Sequence, residues 1–457
     1  MNLLNNRHAI VFQVLFQLRS PLMIMTGDGD AISDNTIDKT WDGKLHINGY
    51  VWSSLLRRAL SRLTDGEEFA EKIGKYPATD GVSPLWCESS FEPLPQCDRH
   101  PGIVISRKWG TATSGLLYSE ENTPTGLLVT LHFIWFPGES FNPDTDCFNI
   151  SNRFAQAFWV IDRGIENIGA GWSYGYGRLK FIHAHTRCLD LAKPENRKIL
   201  FRGHFDAMDS SNQELKLPDA VPAISRPWKN FHVSFFITPG QLLAIHSKIP
   251  MLDVDVLGEK APDSFVFRRL VYKSEEKSIF PSIIIPGKAV RQALFSTQIE
   301  RRLRSKGIDI CDISNGSSIR DVANQKKACT CERCLWFGST DAGGIMAVLD
   351  APVMNFDTEV LHRLAVCEHS FQNIPQKLFS GEYLTRGSFT TEIILDLTRP
   401  NTQPDRLERY LKCLLDEMKP GNGPAGWYRI GATSTCTGQL QIKDIQEVCY
   451  GGDHVNK

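Results

Sequence analysis

The sequence predicts an α+β protein built from two tandem ferredoxin-like domains, each with the element order βαββαβ. A glycine-rich stretch at residues 164–181 reads GIENIGAGWSYGYGRLKF, and a weaker echo at residues 427–442 reads WYRIGATSTCTGQLQI. In both places a helical run precedes the glycines and a strand-like run follows them. Because the elements ahead of each loop also recur in the same order, each half is expected to form a split βαβ sheet.

In the first half, the pattern predicts a strand at Val11–Leu18 and a helix at Gly49–Leu63. A second strand is predicted at Leu127–Phe136, followed by a helix at Asn152–Ile165 with apolar residues at helical spacing. The glycine loop then leads into a strand that begins at Arg178–Ile182. The helix therefore comes before the glycines and the strand after them.

In the second half, the pattern starts again with a strand at Phe231–Ile237 and a basic helix at Pro286–Arg304. A strand at Ser388–Leu397, a helix at Asp405–Met418 and a final strand at Gln439–Val448 complete the unit. The repeat is one of element order, at low sequence identity.

The expected domain boundaries follow from this repeat and from a polar connection. Prolines and the stretch MDSSNQELKLPD favour a linker. We therefore expect a first unit at residues 1–190, a linker at 191–229 and a second unit at 230–457.

Composition limits the classes of function. The chain has 457 residues, of which 42% are hydrophobic. Because its formal net charge is only −1, a nucleic-acid surface would have to be a local basic stripe. No run approaches the length of a membrane span. Twelve cysteines without a secretion signal favour reduced thiols and a metal site over disulfides, and a cytoplasmic location.

The glycine loop allows two interpretations. A dinucleotide-binding fingerprint is excluded because that motif needs a strand before the glycines and a helix after them. The loop can instead bring its backbone close to an extended polymer, with amides for phosphates and aromatic rings for bases. The alternative is a hairpin whose aromatic residues only pack. The residues concerned are Gly169, Gly171, Trp172, Ser173, Tyr174, Gly175 and Tyr176.

Several motifs resemble the RAMP superfamily, and more narrowly the backbone subunits of type III CRISPR effector complexes. In the second half these are SIIIPGKAVRQAL, CERCLWFGST and LDAPV, in that order. In the first half, HINGYVWSSLLRRAL and SPLWCESSF occupy the matching places. SGLLYSEENTPTG and PQKLFSGEYLTRG match the return strand of a hairpin called the thumb. The resemblance spans almost the whole chain as two fused units.

The resemblance implies a function as well as a fold. It implies hairpin thumb insertions in both units and a subunit of a hetero-oligomeric CRISPR complex that binds guide crRNA. It also implies an RNA-guided endoribonuclease that cleaves complementary target RNA at two sites. One alternative is a structural RNA-binding scaffold with inert aspartates. Another is a guide-processing ribonuclease, for which His183 and His185 are the nearest candidate proton-transfer groups.

The family's target-cleaving residue is an aspartate ahead of the Ile-Pro-Gly turn. By that match the first catalytic residue is Asp38, with Asp42 as a neighbour, and the second is Asp263, with Asp253 and Asp255 as competitors. Mg²⁺ or Mn²⁺ is expected for cleavage, because a carboxylate beside a phosphodiester can hold a divalent metal. Without the resemblance, a loop aspartate is more often a cap or turn residue.

The cysteines near residue 330 predict a structural zinc site. Three thiolates in one short turn, Cys329, Cys331 and Cys334, can converge on a tetrahedral zinc. Cys311 is the nearest candidate for the fourth ligand, and the others are Cys367 and His369. The alternative is a set of free buried cysteines.

The resemblance also implies which basic residues contact RNA. The helix after the Pro-Gly turn would flank the guide strand, and the alternative is a solvated helix face. The second glycine loop would add small polar residues. The residues implied are Arg57, Arg58, Lys288, Arg291, Thr433, Ser434 and Thr435.

Overall fold

The structure is a computed structural model that places mixed helices and antiparallel sheets along the chain. The structure describes residues 7–24, 36–74, 84–91, 97–105, 112–137, 141–202, 213–247, 262–311, 329–338, 343–366, 373–399, 402–423, 428–431 and 437–451. No described helix is both long enough and apolar enough to cross a membrane.

The first half is built on an antiparallel sheet of five strands in the order β2-β5-β1-β6-β7. Two further strands, β3 and β4, pair only with each other. The strands are β1 (His8–Leu18), β2 (Leu85–Phe91), β3 (Asp98–Ile105), β4 (Ala112–Asn122), β5 (Leu128–Trp135), β6 (Leu179–Asp190) and β7 (Gln213–Leu215). The helices are α1 (Gly49–Ser61), α2 (Gly66–Gly74), α3 (Pro143–Asp162) and α4 (Pro194–Arg202).

The first core lies on one face of this sheet. Strand β1 alternates, so that Phe12 and Phe16 face α1 and α3, where Phe16 stacks on Trp52 with ring centroids 6.2 Å apart. The intervening residue Val11 packs on the opposite face against Ile199 of α4. Alternation along β1 therefore fixes which helices lie on which side of the sheet.

The second half contains a sheet in the order β13-β16-β8-β17, with β15 paired to β16. Smaller sheets join β9 to β10, and β11 and β14 to β12. The strands are β8 (Trp228–Ile237), β9 (His246–Ser247), β10 (Phe265–Val266), β11 (Arg268–Lys273), β12 (Ser278–Ile285), β13 (Met346–Val348), β14 (Ala351–Pro352), β15 (Met354–Val366), β16 (Asn373–Asp396) and β17 (Leu440–Tyr450).

The helices of the second half cover its own core. The first helical stretch runs through α5 (Gly287–Val290), a π-helical segment (Arg291–Ser296) and α6 (Thr297–Ser305). The short α7 (Glu332–Phe337) follows the cysteine turn, and α8 (Pro404–Glu417) precedes the last strand. Their apolar faces pack on the sheet through residues such as Leu294, Trp336 and Leu411.

The predicted strands and helices of both halves are confirmed, with boundaries shifted by several residues. The largest shift is in the strand predicted at Ser388–Leu397, which is the end of β16 and begins at Asn373. Helix α3 begins at Pro143 because Asn142 caps it by accepting a hydrogen bond from the Asp144 amide. The stretch predicted as a linker contains α4 and β7, which adds to the first sheet. The polar stretches at residues 103–124 and 361–382 contribute to paired hairpins, β3–β4 and β15–β16.

The two halves pack directly on each other through the first glycine loop. At Gly175, φ is +78°. A Cβ there would lie 2.7 Å from Leu349 Cα and 2.8 Å from the Val348 carbonyl oxygen. The backbone of the second half therefore approaches closely because residue 175 has no side chain.

We expect Gly175→Ala to destabilise the protein more than Gly240→Ala. Both glycines have φ near +77°, but nothing lies within 4 Å of the Cβ position at Gly240. Both variants should lose about 1 kcal/mol from left-handed backbone strain. Gly175→Ala should lose a further 1–3 kcal/mol, roughly, from crowding. Denaturant unfolding measures the difference, and equal losses would contradict the proposed close contact.

Candidate functional site

Four cysteines converge beside helix α7. The sulfur atoms of Cys311, Cys329, Cys331 and Cys334 all lie within 4.8 Å of one another, and Cys311 Sγ is 3.3 Å from Cys334 Sγ. Tetrahedral zinc with Zn–S bonds of about 2.3 Å places its sulfurs roughly 3.8 Å apart. The group is thus a possible four-cysteine metal site consistent with structural zinc. Among the proposed fourth ligands, Cys311 joins the cluster, whereas Cys367 and His369 lie outside the described residues.

The local fold favours ionisation of one of these thiols. Burial raises the pKa of Cys331, but backbone hydrogen bonds from Cys311 and Cys334 and side-chain hydrogen bonds within the cluster lower that pKa to about 7 overall. Burial raises the pKa of Cys334. A group in which one thiol already tends to ionise suits a divalent cation, since metals bind the thiolate.

Asp38 lies in a small hairpin ahead of α1. Its amide donates to the Ile24 carbonyl at 3.0 Å, and the His46 amide donates to the Asp38 carbonyl at 3.1 Å. The side chains also meet, with His46 Nδ1 3.3 Å from Asp38 Oδ2. Their exposed fractions are 42% for His46 and 33% for Asp38, so both are reachable from solvent.

The tip of this hairpin presents an aromatic ring. Trp41 is 99% exposed. Asp42, the predicted neighbour of Asp38, is instead held in the turn by Lys44 and Thr40, which lower its pKa to about 2. The side chain of Asp42 is thus bound within the turn, whereas the side chain of Asp38 contacts the imidazole of His46.

Asp263 is exposed beside the β15–β16 hairpin, next to Ser380, which lies midway along the pairing of the two strands. Its Oδ2 accepts hydrogen bonds from the Ser380 amide at 2.6 Å and from the Ser380 hydroxyl at 3.1 Å. These bonds lower the pKa of the carboxyl group. Asp253 and Asp255, its competitors, lie outside the described residues, as do Thr433, Ser434 and Thr435.

The two predicted arginines of α1 have different surroundings. Arg57 is exposed and forms no hydrogen bond or ion pair with another described residue. Arg58 instead donates to Glu166 at 2.9 Å and to the Asn167 carbonyl at 2.6 Å, at the start of the glycine loop. Arg57 is therefore available to a phosphate, whereas Arg58 supports the loop.

Lys288 and Arg291 also differ. Lys288 is partly exposed, lies 3.9 Å from Glu120 and sits over the Tyr174 ring at 5.9 Å. Arg291 is only 5% exposed and donates to the carbonyls of Met346 and Phe337. A phosphate contact does not fit this placement of Arg291, because its guanidinium is committed to backbone carbonyls of the second core.

The aromatic residues of the glycine loop also differ from one another in burial and in their contacts. Tyr176 is 1% exposed, and its hydroxyl accepts a hydrogen bond from Arg269 at 2.7 Å. Trp172 donates to the Ile165 carbonyl at 3.0 Å and lies under the buried Arg178. These two rings pack, as in the alternative interpretation of the loop. Ser173 and Tyr174 remain partly exposed.

The described ends of the second glycine loop, residues 428–431 and 437–442, match the first loop in two features. The Ile168 amide donates to the Gly177 carbonyl at 2.9 Å, and the Ile430 amide donates to the Gly438 carbonyl at 3.0 Å. Gly169 and Gly431 both have positive φ, and a Cβ at either would meet the carbonyl oxygen of a residue shortly after the first strand of its half, Met23 or Ala244. The same backbone geometry thus recurs in the two halves. Gly171 has φ of +80° and turns the first loop toward Tyr176.

Sequence reasoning missed His46 and the partners that join the halves. The Asp-Gly dipeptide at residues 42–43 is a turn signal that places His46 opposite Asp38. The contacts of Arg62 with Asp396 and of Arg269 with Tyr176 span 334 and 93 residues, and no local pattern predicts them.

The family model of the RAMP superfamily matches residues 15–180, about a third of the chain. This match supports membership of that superfamily and is consistent with a CRISPR-associated RNA-binding protein. It includes Asp38, Arg57 and the first glycine loop. The search of curated proteins found no match to the chain.

We expect purified protein to contain about one zinc per chain and Cys334→Ser to weaken its binding at least tenfold, or about 1.4 kcal/mol. Losing a thiolate ligand removes binding free energy that also stabilises the fold, so the melting temperature should fall. Elemental analysis and thermal unfolding measure both effects. Cys413→Ser, at an exposed thiol outside the cluster, is the control. Zinc-free protein, or two variants that behave alike, would refute the site.

Proposed function

We propose that the chain is a backbone subunit of a type III CRISPR ribonucleoprotein, with two RAMP units fused in one polypeptide. Each unit is a ferredoxin-like domain whose long hairpin, β3–β4 or β15–β16, is its thumb. The units correspond to residues 1–190 and 230–457, and residues 191–229 connect them. The subunit binds guide crRNA and cleaves paired target RNA at two sites.

The recurrence of one geometry in both halves is the observation that carries this proposal. The sheet orders β2-β5-β1-β6 and β13-β16-β8-β17 are equivalent. In each, the strand that comes first in the chain, β1 or β8, lies between the two that come last, β5 and β6 or β16 and β17. This is the strand order of a split βαβ sheet. Both halves also form the same glycine-loop hydrogen bonds. This equivalence is our reason for proposing that the second half, which lies outside the superfamily match, is a RAMP unit as well.

The RNA surface is proposed along the exposed side of the first glycine loop and α1. Arg57 and Lys288 supply positive charge, and Ser173 and Tyr174 supply partly exposed polar groups. The exposed Trp41 offers a ring on which a base can stack. Arg291 and Tyr176 are left out because both are buried.

The cleavage sites are proposed at Asp38 and Asp263, each an exposed or partly exposed carboxylate beside a hairpin of its own half. The Mg²⁺ or Mn²⁺ predicted for cleavage stays a prediction. The donors around Asp38 do not support it, because among the described residues only the four cysteines form a cluster of three or more metal-ligating side chains. The structural zinc is proposed for that cysteine cluster.

The alternatives make different predictions. A scaffold would bind RNA but leave the target whole. A guide-processing ribonuclease would use His183 and His185, whose rings lie 5.4 Å apart on β6, on the sheet face opposite α1. No observation favours that face over the hairpin of Asp38. The proposed partners are crRNA, target RNA and other effector subunits, and the proposed location is the cytoplasm.

We expect Arg57→Ala to weaken guide RNA binding several-fold and to lower the slope of log affinity against log salt by about 0.7, the value for one phosphate contact to a single strand. Fluorescence titration at several salt concentrations measures this slope. The control is Lys198→Ala, which removes a charge from α4 on the opposite sheet face. An unchanged slope for Arg57→Ala would remove Arg57 from the RNA surface.

We expect Asp38→Ala and Asp263→Ala each to erase one cleavage product and spare the other, with rate losses of about 100-fold or more at the affected site. Gel analysis of a guide-complementary RNA measures both products. The double variant should bind target without cutting it. If Asp255→Ala or Asp253→Ala removes the second product instead, the assignment of Asp263 is wrong. If none of the four variants changes a product, the subunit is a scaffold.

A further inference from the structure

The carboxylate of Asp38 is paired with an imidazole in a fixed orientation. An ionised carboxylate can only accept hydrogen bonds, so the proton between His46 and Asp38 is carried by His46 Nδ1. In the neutral imidazole, Nε2 is then the nitrogen with the free lone pair. It forms no hydrogen bond with any other residue that the structure describes. The ring is thus oriented as a proton acceptor.

The backbone around the pair holds this orientation. Residues 39 and 45 form a bridge, and the Thr40 amide donates to the Lys44 carbonyl at 2.8 Å. The main chains of Asp38 and His46 are also hydrogen-bonded, at 3.1 Å. A carboxylate that orients an imidazole while the other ring nitrogen faces outward is an arrangement suited to general base catalysis.

We propose that His46 is a catalytic residue that takes the proton of the attacking 2′-hydroxyl at the Asp38 site. This inference rests on the proposed function. The 2′-oxygen forms a bond to phosphorus while its proton passes to His46 Nε2. The bond from phosphorus to the 5′-oxygen breaks, and water protonates that leaving oxygen. The hydroxide left behind takes the proton back from the imidazolium. The products end in a 2′,3′-cyclic phosphate and a 5′-hydroxyl.

At the second site, the groups hydrogen-bonded to the carboxylate of Asp263 are the amide and hydroxyl of Ser380, and both donate to it. His362, the cross-strand partner of Ser380, acts on Asp263 through its charge. Because His46 belongs to the first site alone, the two products should respond differently to loss of His46. This difference gives an internal control within one reaction.

The test compares His46→Ala and His46→Gln in the assembled guide-bound protein. Both should slow the first product about 100-fold and leave the second unchanged. In His46→Gln, the glutamine amide can still donate to Asp38 and orient its carboxylate. A slower first product in this variant would therefore reflect loss of proton transfer rather than loss of that orientation. Added imidazole should restore part of the first product in His46→Ala and none in Asp38→Ala. Lys44→Ala, in the same turn, should cut normally.

Several outcomes overturn the inference. If His46→Gln forms the first product at the wild-type rate, His46 does not transfer a proton in the reaction. Failure of imidazole to restore His46→Ala would also refute it. If Asp38→Ala leaves both products intact, the proposed cleavage site is wrong, whatever His46 does. End-group analysis showing a 2′,3′-cyclic phosphate on the first product would agree with the proposed step.

Discussion

The fold depends most on a buried arginine that joins the two halves. Arg62, at the end of α1, contacts Glu166 at 2.7 Å and both carboxylate oxygens of Asp396 at 3.0 and 3.2 Å. Burial raises the pKa of Asp396, but its hydrogen bonds with Arg62 and Thr398 outweigh burial and lower that pKa overall. Removing one partner from such a group costs about 3–5 kcal/mol, because a charge is left buried without compensation.

This ionic contact is matched by a second one at the glycine loop. Arg269 of the second half donates to the Tyr176 hydroxyl and, at 2.6 Å, to Asp350. Asp350 in turn accepts from the Gly287 amide, where α5 begins. The glycine loop of the first half and the basic helix of the second are therefore tied to one set of buried contacts. Under the proposed function, these contacts fix the spacing between the two cleavage sites.

The sequence predicted local elements well and long-range contacts poorly. The strand at Val11–Leu18 and the helix at Asp405–Met418 follow from periodicity, which local packing obeys. The role expected for Tyr176 depended on whether the loop faces RNA or protein, and that depends on a distant arginine. Likewise, Arg291 reads as an exposed basic residue in a helix pattern, although its guanidinium fills a buried space in the second core. The cysteine cluster could be predicted because three of its ligands lie in one turn.

The two halves share a backbone plan but not the chemistry around their candidate aspartates. Asp38 faces an imidazole across a short hairpin, whereas Asp263 is bound by Ser380 of the long strand β16. An imidazole can accept a proton near neutral pH, but a serine hydroxyl that donates to a carboxylate cannot. Equivalent folds therefore do not imply equivalent reactions. The side chain facing each carboxylate, rather than the sheet beneath it, determines which chemistry each half can support.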